Sequence, residues 1–398
     1  MAGASTPLAR ADDRVDTTLT WFQEQRSASD SLTVVHPQLD VGFDVGDHLA
    51  IGLGYQADIV SGATESIYAA PPPGVDAIST ATLFSDTRHA GNANLALQGR
   101  RSSLALGYGY ATERDYLSHS VSGTASVDLP GKNTTFAVSY IHNFDSVCDF
   151  DNGDASPLER QSLRTEHKCF DSATNATTIT HALSIDTAQA TVTQNLSPTA
   201  AVQLGVYGQI LDGFQSNPYR RVRGAGCDAQ ETTPRVRARS AAWARINLAI
   251  PPLHSAITFH VRGYMDTWAV KSGTAEILYS QYLGTSLLFR LRGRAYQQSS
   301  AFFFRDAFDY DTLGPAGAYF TGDRELSPLR TFLFGARLSY LAAGKDGRSL
   351  FGIFDTIDLH LNAEGLYTTP LTTLPPGGDV TGIVPDAIIA QVGLLMRY

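Results

Sequence analysis

Arginine recurs at every second position in two stretches of this chain, Arg235-Val236-Arg237-Ala238-Arg239, extended by Arg245, and Arg290-Leu291-Arg292-Gly293-Arg294. A two-residue period is that of an extended strand, so each set lies on one strand face while Val, Ala, Leu and Gly take the other. A guanidinium stays charged and offers a planar fork of donors, so such a face attracts and orients anions. Carboxylates follow the same even spacing elsewhere: Asp16 and Glu24, Asp40 and Asp44, Asp58, and Asp358 and Glu364 on either side of His360. Walls of opposite sign steer and filter charged solutes; they do not by themselves make or break bonds.

Bond-making chemistry finds little support. A hydrolase needs a nucleophile held by a positioned base. The ten histidines are scattered, with His36, His142, His181 and His360 on different segments, and no Gly-x-Ser-x-Gly occurs. No haem-attachment motif is present, and Gly52-Leu53-Gly54 and Gly107-Tyr108-Gly109 lack the third glycine and the helix of a dinucleotide fingerprint. Asp306, Asp309 and Asp311 offer oxygen ligands but nothing else that points to calcium. The expectation is therefore no enzyme, no cofactor and no metal.

Cysteine usage fits an exported protein that meets an oxidising environment. Cys148 and Cys169 fall in one expected loop and Cys227 in the next, without the Cys-x-x-Cys spacing of a metal site. Pairing Cys148 with Cys169 is the simpler bridge; it closes about twenty residues and contributes roughly 3 kcal/mol in chain-entropy terms. Cys227 bridging to either across neighbouring loops is the alternative.

The charged faces need a frame, and strand-like segments follow one another from Asp13 to Tyr398. The apolar faces read Val15, Thr17, Leu19, Trp21; Leu39, Val41, Phe43, Val45; and Leu49, Ile51, Leu53, Tyr55. Later segments give Leu104, Leu106, Tyr108, Tyr110; Val202, Leu204, Val206; and Phe332, Phe334, Leu338, Tyr340. About sixteen such segments can be counted, an even number of the kind transmembrane barrels use. No stretch approaches the ~20 apolar residues of a membrane helix, and a closed barrel is the other structure that satisfies its backbone in lipid. A formal net charge of -9 and 17% charged residues would suit a soluble all-β protein as well. The unbroken run of long strands argues against that, since sandwiches use fewer and shorter ones.

The expected fold is thus all-β: a transmembrane antiparallel β-barrel of about 16 strands, with residues 1–12 a flexible N-terminal tail and 13–398 a single domain. The chain starts without a basic, apolar export signal and reads as a mature form from which the signal has been removed. Connections alternate between tight and long. Val45 to His48, Gln98 to Ser102, Leu129 to Asn133, Asn195 to Thr199, Pro251 to Ser255 and Leu283 to Ser286 are turns, expected on the periplasmic side. Ser61 to Arg88, Ser146 to Ala176, Gln215 to Arg235, Ser299 to Ser327 and Thr368 to Pro385 are long and expected outside, while Ala342 to Asp355 is a longer periplasmic exception.

The last strand ends on an aromatic, with Ile388, Ala390, Val392, Leu394, Met396 and Tyr398 on one face. It resembles the closing strand of bacterial outer-membrane β-barrels, and the resemblance implies that Tyr398 is read by the barrel assembly machinery. Trp21-Phe22-Gln23-Glu24, Asp58-Ile59-Val60-Ser61-Gly62-Ala63-Thr64 and Asp212-Gly213-Phe214-Gln215-Ser216-Asn217-Pro218-Tyr219-Arg220 resemble motifs of an uncharacterised, domain-of-unknown-function family of outer-membrane proteins. Tyr264-Met265-Asp266-Thr267-Trp268 and Tyr296-Gln297-Gln298 look like it too, so the resemblance covers nearly the whole chain. Genes near those of that family, for thioredoxin-like proteins, a flavin-attaching enzyme and a small lipoprotein, imply a redox setting and a lipoprotein or redox partner. The resemblance supplies no catalytic residues and no nucleic-acid partner. Gly62 and Pro218 shape the loop bases in these motifs, and holding loops over the mouth is their simplest role.

Projected from the apolar faces, the basic wall of the interior comprises Arg235, Arg237, Arg239, Arg245, Arg262, Arg290, Arg292, Arg294 and Arg337, with His260 beside it. The acidic wall comprises Asp16, Glu24, Asp40, Asp44, Asp58, Asp358 and Glu364, and is expected largely opposite the basic one. Such a split is similar to the transverse field at the constriction of general diffusion porins. It points to a porin-like passive channel for small polar or charged solutes, surrounded by outer-membrane lipid. The alternatives are paired charges filling a plugged barrel, and a non-conducting scaffold that houses or anchors a periplasmic or surface partner.

Overall fold

A residue pattern that alternates apolar and polar with period two can bury one face in a greasy surround only if every strand has a neighbour on both sides. In a computed structural model this is achieved by closing sixteen antiparallel strands into one barrel. The structure describes all residues except 1–12, 25–31, 63–76, 81–83, 165–166, 168, 171–176, 225–227, 305–306, 309–316, 345–349, 351–352 and 371–385. The expected N-terminal tail, Cys227 and the Asp306, Asp309, Asp311 run lie outside the described residues.

The strands are β1 (Arg14–Glu24), β2 (Thr33–Val45), β3 (Leu49–Gly62), β4 (Phe84–Gln98), β5 (Ser102–Thr112) and β6 (Tyr116–Asp128). They continue as β7 (Thr134–Phe150), β8 (Thr178–Ser197), β9 (Ala200–Gly213), β10 (Val236–Ile250) and β11 (Ser255–Asp266). The ring ends with β12 (Lys271–Leu283), β13 (Leu287–Gln298), β14 (Leu329–Ala343), β15 (Thr356–Pro370) and β16 (Ala387–Arg397). Each pairs with its sequence neighbour, and β16 returns to β1, with Leu19 opposite Val392 and Trp21 opposite Ala390. The Tyr398 amide then donates to the Asp13 carbonyl at 3.0 Å, which fastens the last residue to the start of the ring.

Turn chemistry fixes one end. Gly46, Gly131 with Lys132, His254 and Gly284 take positive φ in the connections between β2 and β3, β6 and β7, β10 and β11, and β12 and β13. These match the tight set expected from the sequence. At the other end most connections are long, but 113–115 and 267–270 are short. The outward face is apolar and open: Leu106, Val138, Val206, Phe334 and Leu361 are each at least half exposed. A contiguous greasy belt of this kind on a soluble monomer would drive aggregation, so it is built to meet lipid.

One element was not expected. Ala77–Thr80, Arg221–Gly224, Asp228–Gln230 and Ala307–Phe308 form a separate four-stranded sheet. Its strands come from the connections β3 to β4, β9 to β10 and β13 to β14, which leave the ring six, four and six strand positions apart. Segments rising from such separated points can pair only by meeting across the opening. The long-loop mouth is therefore spanned by a sheet. The largest buried apolar cluster of the described residues also lies here, with Trp268, Val270, Ala301, Phe303, Phe304 and Leu326 packed together. The largest apolar cluster sits in the loops because the barrel interior is lined mainly by polar and charged groups.

Placing arginine on the outward face at mid-strand, as in Leu106→Arg, is expected to lower barrel stability in lipid vesicles by about 2–4 kcal/mol. Urea unfolding of the vesicle-inserted protein checks this, and an effect near zero would contradict an outward, lipid-facing Leu106.

Candidate functional site: the charged lumen

With the apolar side chains outside, alternate residues turn inward, and cross-strand partners share a face. Arg237, Arg239 and Arg245 on β10 and Arg262 and His260 on β11 face the interior, as do Arg290, Arg292 and Arg294 on β13 and Arg337 on β14. Arg235 shares the parity of this wall at its mouth end. β10 begins at Val236, and exposed Arg235 stands before it at the mouth, its carbonyl accepting the Gly213 amide at 3.0 Å and Gln215 Nε2 at 2.6 Å. The acidic residues Asp16 and Glu24 on β1, Asp40 and Asp44 on β2, Asp58 on β3, and Asp358 and Glu364 on β15 occupy inward register positions. Asp16 and Asp40 are direct cross-strand partners.

The two walls abut; they do not face each other across the pore. β14 carries Arg337 and its neighbour β15 carries Asp358 and Glu364. The opposite arc, β4 to β9, presents mostly neutral polar groups such as Asn92, Asn94, Ser120, Ser122, Thr191 and Gln203. At the seam the two signs make direct contact. Arg292 Nη2 donates to Glu276 Oε2 on β12 at 2.7 Å, and its Nη1 reaches Glu364 Oε1 on β15 at 3.2 Å. That second bridge crosses β14, which offers Gly335 as the partner of both Arg292 and Glu364. A Cβ there would stand 2.6 Å from Glu364 Cγ, so the bridge depends on a residue without a side chain.

The remaining charges divide by what surrounds them. Arg237, almost fully buried near the mouth, donates to Asp266 Oδ2 through Nε at 2.9 Å and stacks 4.1 Å over the Trp268 ring. Asp266 also accepts from Tyr264 Oη at 2.7 Å and the Val270 amide at 3.0 Å, which satisfies a buried pair as burial requires. Arg239 donates to Gln209 Oε1 at 3.0 Å, Arg262 lies over Tyr207 and Tyr264, and Arg294 lies 6.0 Å over Tyr296. On the acidic side Asp58 bonds His36 at 2.6 Å and Arg88 at 3.1 Å, and Asp40 accepts Gln38 at 2.6 Å. A cavity of about 400 Å³ opens at the seam, lined by Arg290, Arg292, Arg337, Glu276, Glu364 and Asn362 among others. Glu276, Asp266, Asn362 and Gln391 were not assigned to the lumen from the sequence; inward parity on their strands is the signal that would have found them.

Above the lumen, Cys148 and Cys169 form a disulfide with Cα atoms 5.7 Å apart. Cys148 is the third-last residue of β7 and not in a loop, because that strand runs on to Phe150. Next to it the buried Asp149 collects Arg160 at 3.1 Å, His181 at 3.3 Å and Gln230 at 2.7 Å, tying three segments together. Glu231 plays the same part for the β9–β10 and β13–β14 connections: it accepts the Asn217 amide at 2.6 Å and Thr321 Oγ1 at 2.7 Å, beside the Arg220–Asp323 ion pair. Burial pushes the Glu231 carboxyl above its ordinary value; Arg220 opposes the shift and Asp323 adds to it.

A closed antiparallel barrel with an apolar outer belt, a charged interior and one end of tight turns has the architecture of Gram-negative outer-membrane β-barrel proteins. The chain belongs to the family described as protein of unknown function (DUF3570), whose profile matches residues 2–348. No curated protein matches it. Solved structures of similar fold include the ferric enterobactin receptor PfeA of Pseudomonas aeruginosa (Q482A mutant) in complex with enterobactin, at 11% identity and a TM-score of 0.44, covering 94% of this chain. This chain spans only 57% of that receptor. A bacterial polysaccharide outer membrane secretin is similar at 8% identity and a TM-score of 0.47, covering 98% of this chain and 100% of its own. Pseudomonas aeruginosa OpdK with vanillate is similar at 8% identity and a TM-score of 0.39, covering 97% and 98%.

Two outcomes are expected. Gly335→Leu should displace Glu364 and destabilise the barrel by about 1–3 kcal/mol, with a smaller loss in a Glu364→Ala background; additive losses in urea unfolding would contradict the bridge. Because the Glu231 carboxyl is raised on folding, its contribution to loop docking is fully present below the ordinary carboxylate value of 4.5 and is lost as pH rises through the raised one. Hydrogen exchange at the Asn217 and Thr232 amides, corrected for intrinsic rate, should therefore be slower under acid conditions, and Glu231→Gln should remove most of that dependence.

Proposed function

We propose that the protein resides in the outer membrane of a Gram-negative bacterium and acts as a porin-like passive channel for small polar or charged solutes, with a charge-polarised lumen. One observation carries this reading. Within the arc β10 to β14, four strands turn Arg237, Arg239, Arg245, Arg262, Arg290, Arg292, Arg294 and Arg337 inward, while the carboxylates on the arc's inward faces are Asp266 and Glu276. Guanidiniums that outnumber their carboxylates need water or anions around them, since an unpaired charge is costly in a dry interior. An aqueous pore supplies both. In this reading outer-membrane lipid meets the apolar belt, the tight turns face the periplasm and Tyr398 serves the assembly machinery. The chemistry is selection by charge, with no turnover.

A second reading has its own support in the sheet that spans the mouth. A barrel closed there would serve as a scaffold for a periplasmic or surface partner, a small lipoprotein or a redox protein. The two readings separate in a planar bilayer. The channel predicts stable, anion-preferring conductance, and the triple change Arg290→Glu, Arg292→Glu, Arg294→Glu should move the preference towards cations. A silent barrel that co-purifies with a lipoprotein or redox protein would contradict the channel and favour the scaffold.

A further inference from the structure

One row of cross-strand partners runs across six neighbouring strands: Ser280, Arg290, Arg337, Asn362, Gln391 and Thr20. Arg290 and Arg337 stand directly opposite each other in it. Like charges so placed destabilise a sheet unless something lies between them. Arg290 Nε donates to Ser280 Oγ at 3.1 Å and Arg337 Nε to Ser339 Oγ at 3.3 Å, and the terminal nitrogens of both guanidiniums have no acceptor among the described residues. Among the described residues neither has a carboxylate at ion-pair distance, although Asp358 and Asp16 act on Arg337 from further along the wall.

The next inward row towards the mouth is different. There Arg292 is held between Glu276 and Glu364, so it is a neutralised wall and not a competing anion site. The cavity of about 400 Å³ between these rows has the volume of a small-molecule site. Three guanidiniums against two carboxylates give its lining a net charge of +1, and Leu278 and Ile389 add an apolar flank.

We propose that this cavity is a subsite for a small organic monocarboxylate, whose carboxylate lies between Arg290 and Arg337 and whose apolar part meets Leu278 and Ile389. A single negative charge matches the excess of the lining, and a planar carboxylate matches the two guanidinium forks. A doubly charged phosphate would leave an uncompensated charge beside Glu276 and Glu364. The inference rests on the channel reading in one respect, that solute reaches the lumen.

The test uses the purified full chain in detergent, with hexanoate as the probe and calorimetric titration as the readout. Hexanoate is expected to bind saturably, hexanamide not to bind, and inorganic phosphate at equal concentration not to displace hexanoate. Arg290→Gln and Arg337→Gln should each weaken binding by about tenfold, the loss of one charge-assisted contact, while Arg100→Gln on an exposed tight turn should not. Heat-modifiable gel mobility shows which variants are folded; if a glutamine variant fails, the lysine variant at the same position should fold and bind with intermediate strength. Absent hexanoate binding to folded wild type, equal binding to folded arginine variants, or equal binding of hexanamide or phosphate would overturn the subsite. Conductance of the same preparation reads the channel separately: a silent protein that binds hexanoate would sink the channel alone, and a conducting one that does not would sink the subsite alone.

Discussion

Ring closure between β1 and β16 is the constraint on which everything else depends. Lipid offers no partner for a backbone amide or carbonyl, so an open edge of eleven residues would leave costly unpaired groups. Pairing Arg14 through Glu24 with Arg397 through Ala387 removes that edge. Closure also locks the register. A slip of one residue would send Leu19, Val392 and their neighbours inward and Asp16 into the greasy surround, so each pairing confirms the next around the ring. The charged lumen is thus a consequence of a coherent register, not an independent feature.

Inside, the partners of each arginine follow from access to water. Arg237 lies under the covered end and is almost fully buried, and there Asp266, Tyr264, Trp268 and the Val270 amide complete a satisfied network. Arg292 needs two carboxylates drawn from strands on both sides, and it obtains the second because Gly335 leaves the way open across β14. Among the described residues Arg290 and Arg337 have hydroxyl partners only, and they face a cavity. An isolated charge in a dry interior would cost several kcal/mol or more even after relaxation, which is why the proposed channel assigns these two to the wet part of the wall. The loops supply an apolar core and a disulfide of their own, and Val222 and Ala229 of the mouth-spanning sheet pack with Phe320 in a separate small cluster.

Much of this was legible because a period of two survives any tertiary context that keeps a strand a strand. The faces of β1, β2, β5, β10 and β13 follow from simple alternation, and the glycine and proline turns mark the tight end. The Cys148–Cys169 bridge was the simpler of the pairings that the sequence left open, and the structure forms it. Other features were not, for physical reasons. The start of β10 is one: Arg235 continues the arginine parity and its carbonyl accepts from Gly213, yet the strand begins one residue later. The mouth-spanning sheet is made of segments two to four residues long, too short to carry a period, and its pairings join loops far apart in sequence. Gly335 reads as an ordinary strand glycine until three strands are seen together. The adjacency of the two charged walls needed the strand order, since β14 and β15 are where positive gives way to negative.

The central claim is that the arginine face of β13 lines water while its other face meets lipid. Cysteine scanning tests it most directly: single cysteines at positions 289 to 294, in a chain whose Cys227 is serine, are exposed to a membrane-impermeant maleimide in reconstituted vesicles. Labelling at 290, 292 and 294 with protection at 289, 291 and 293 is the predicted result. Uniform protection, uniform labelling or the opposite alternation would contradict it.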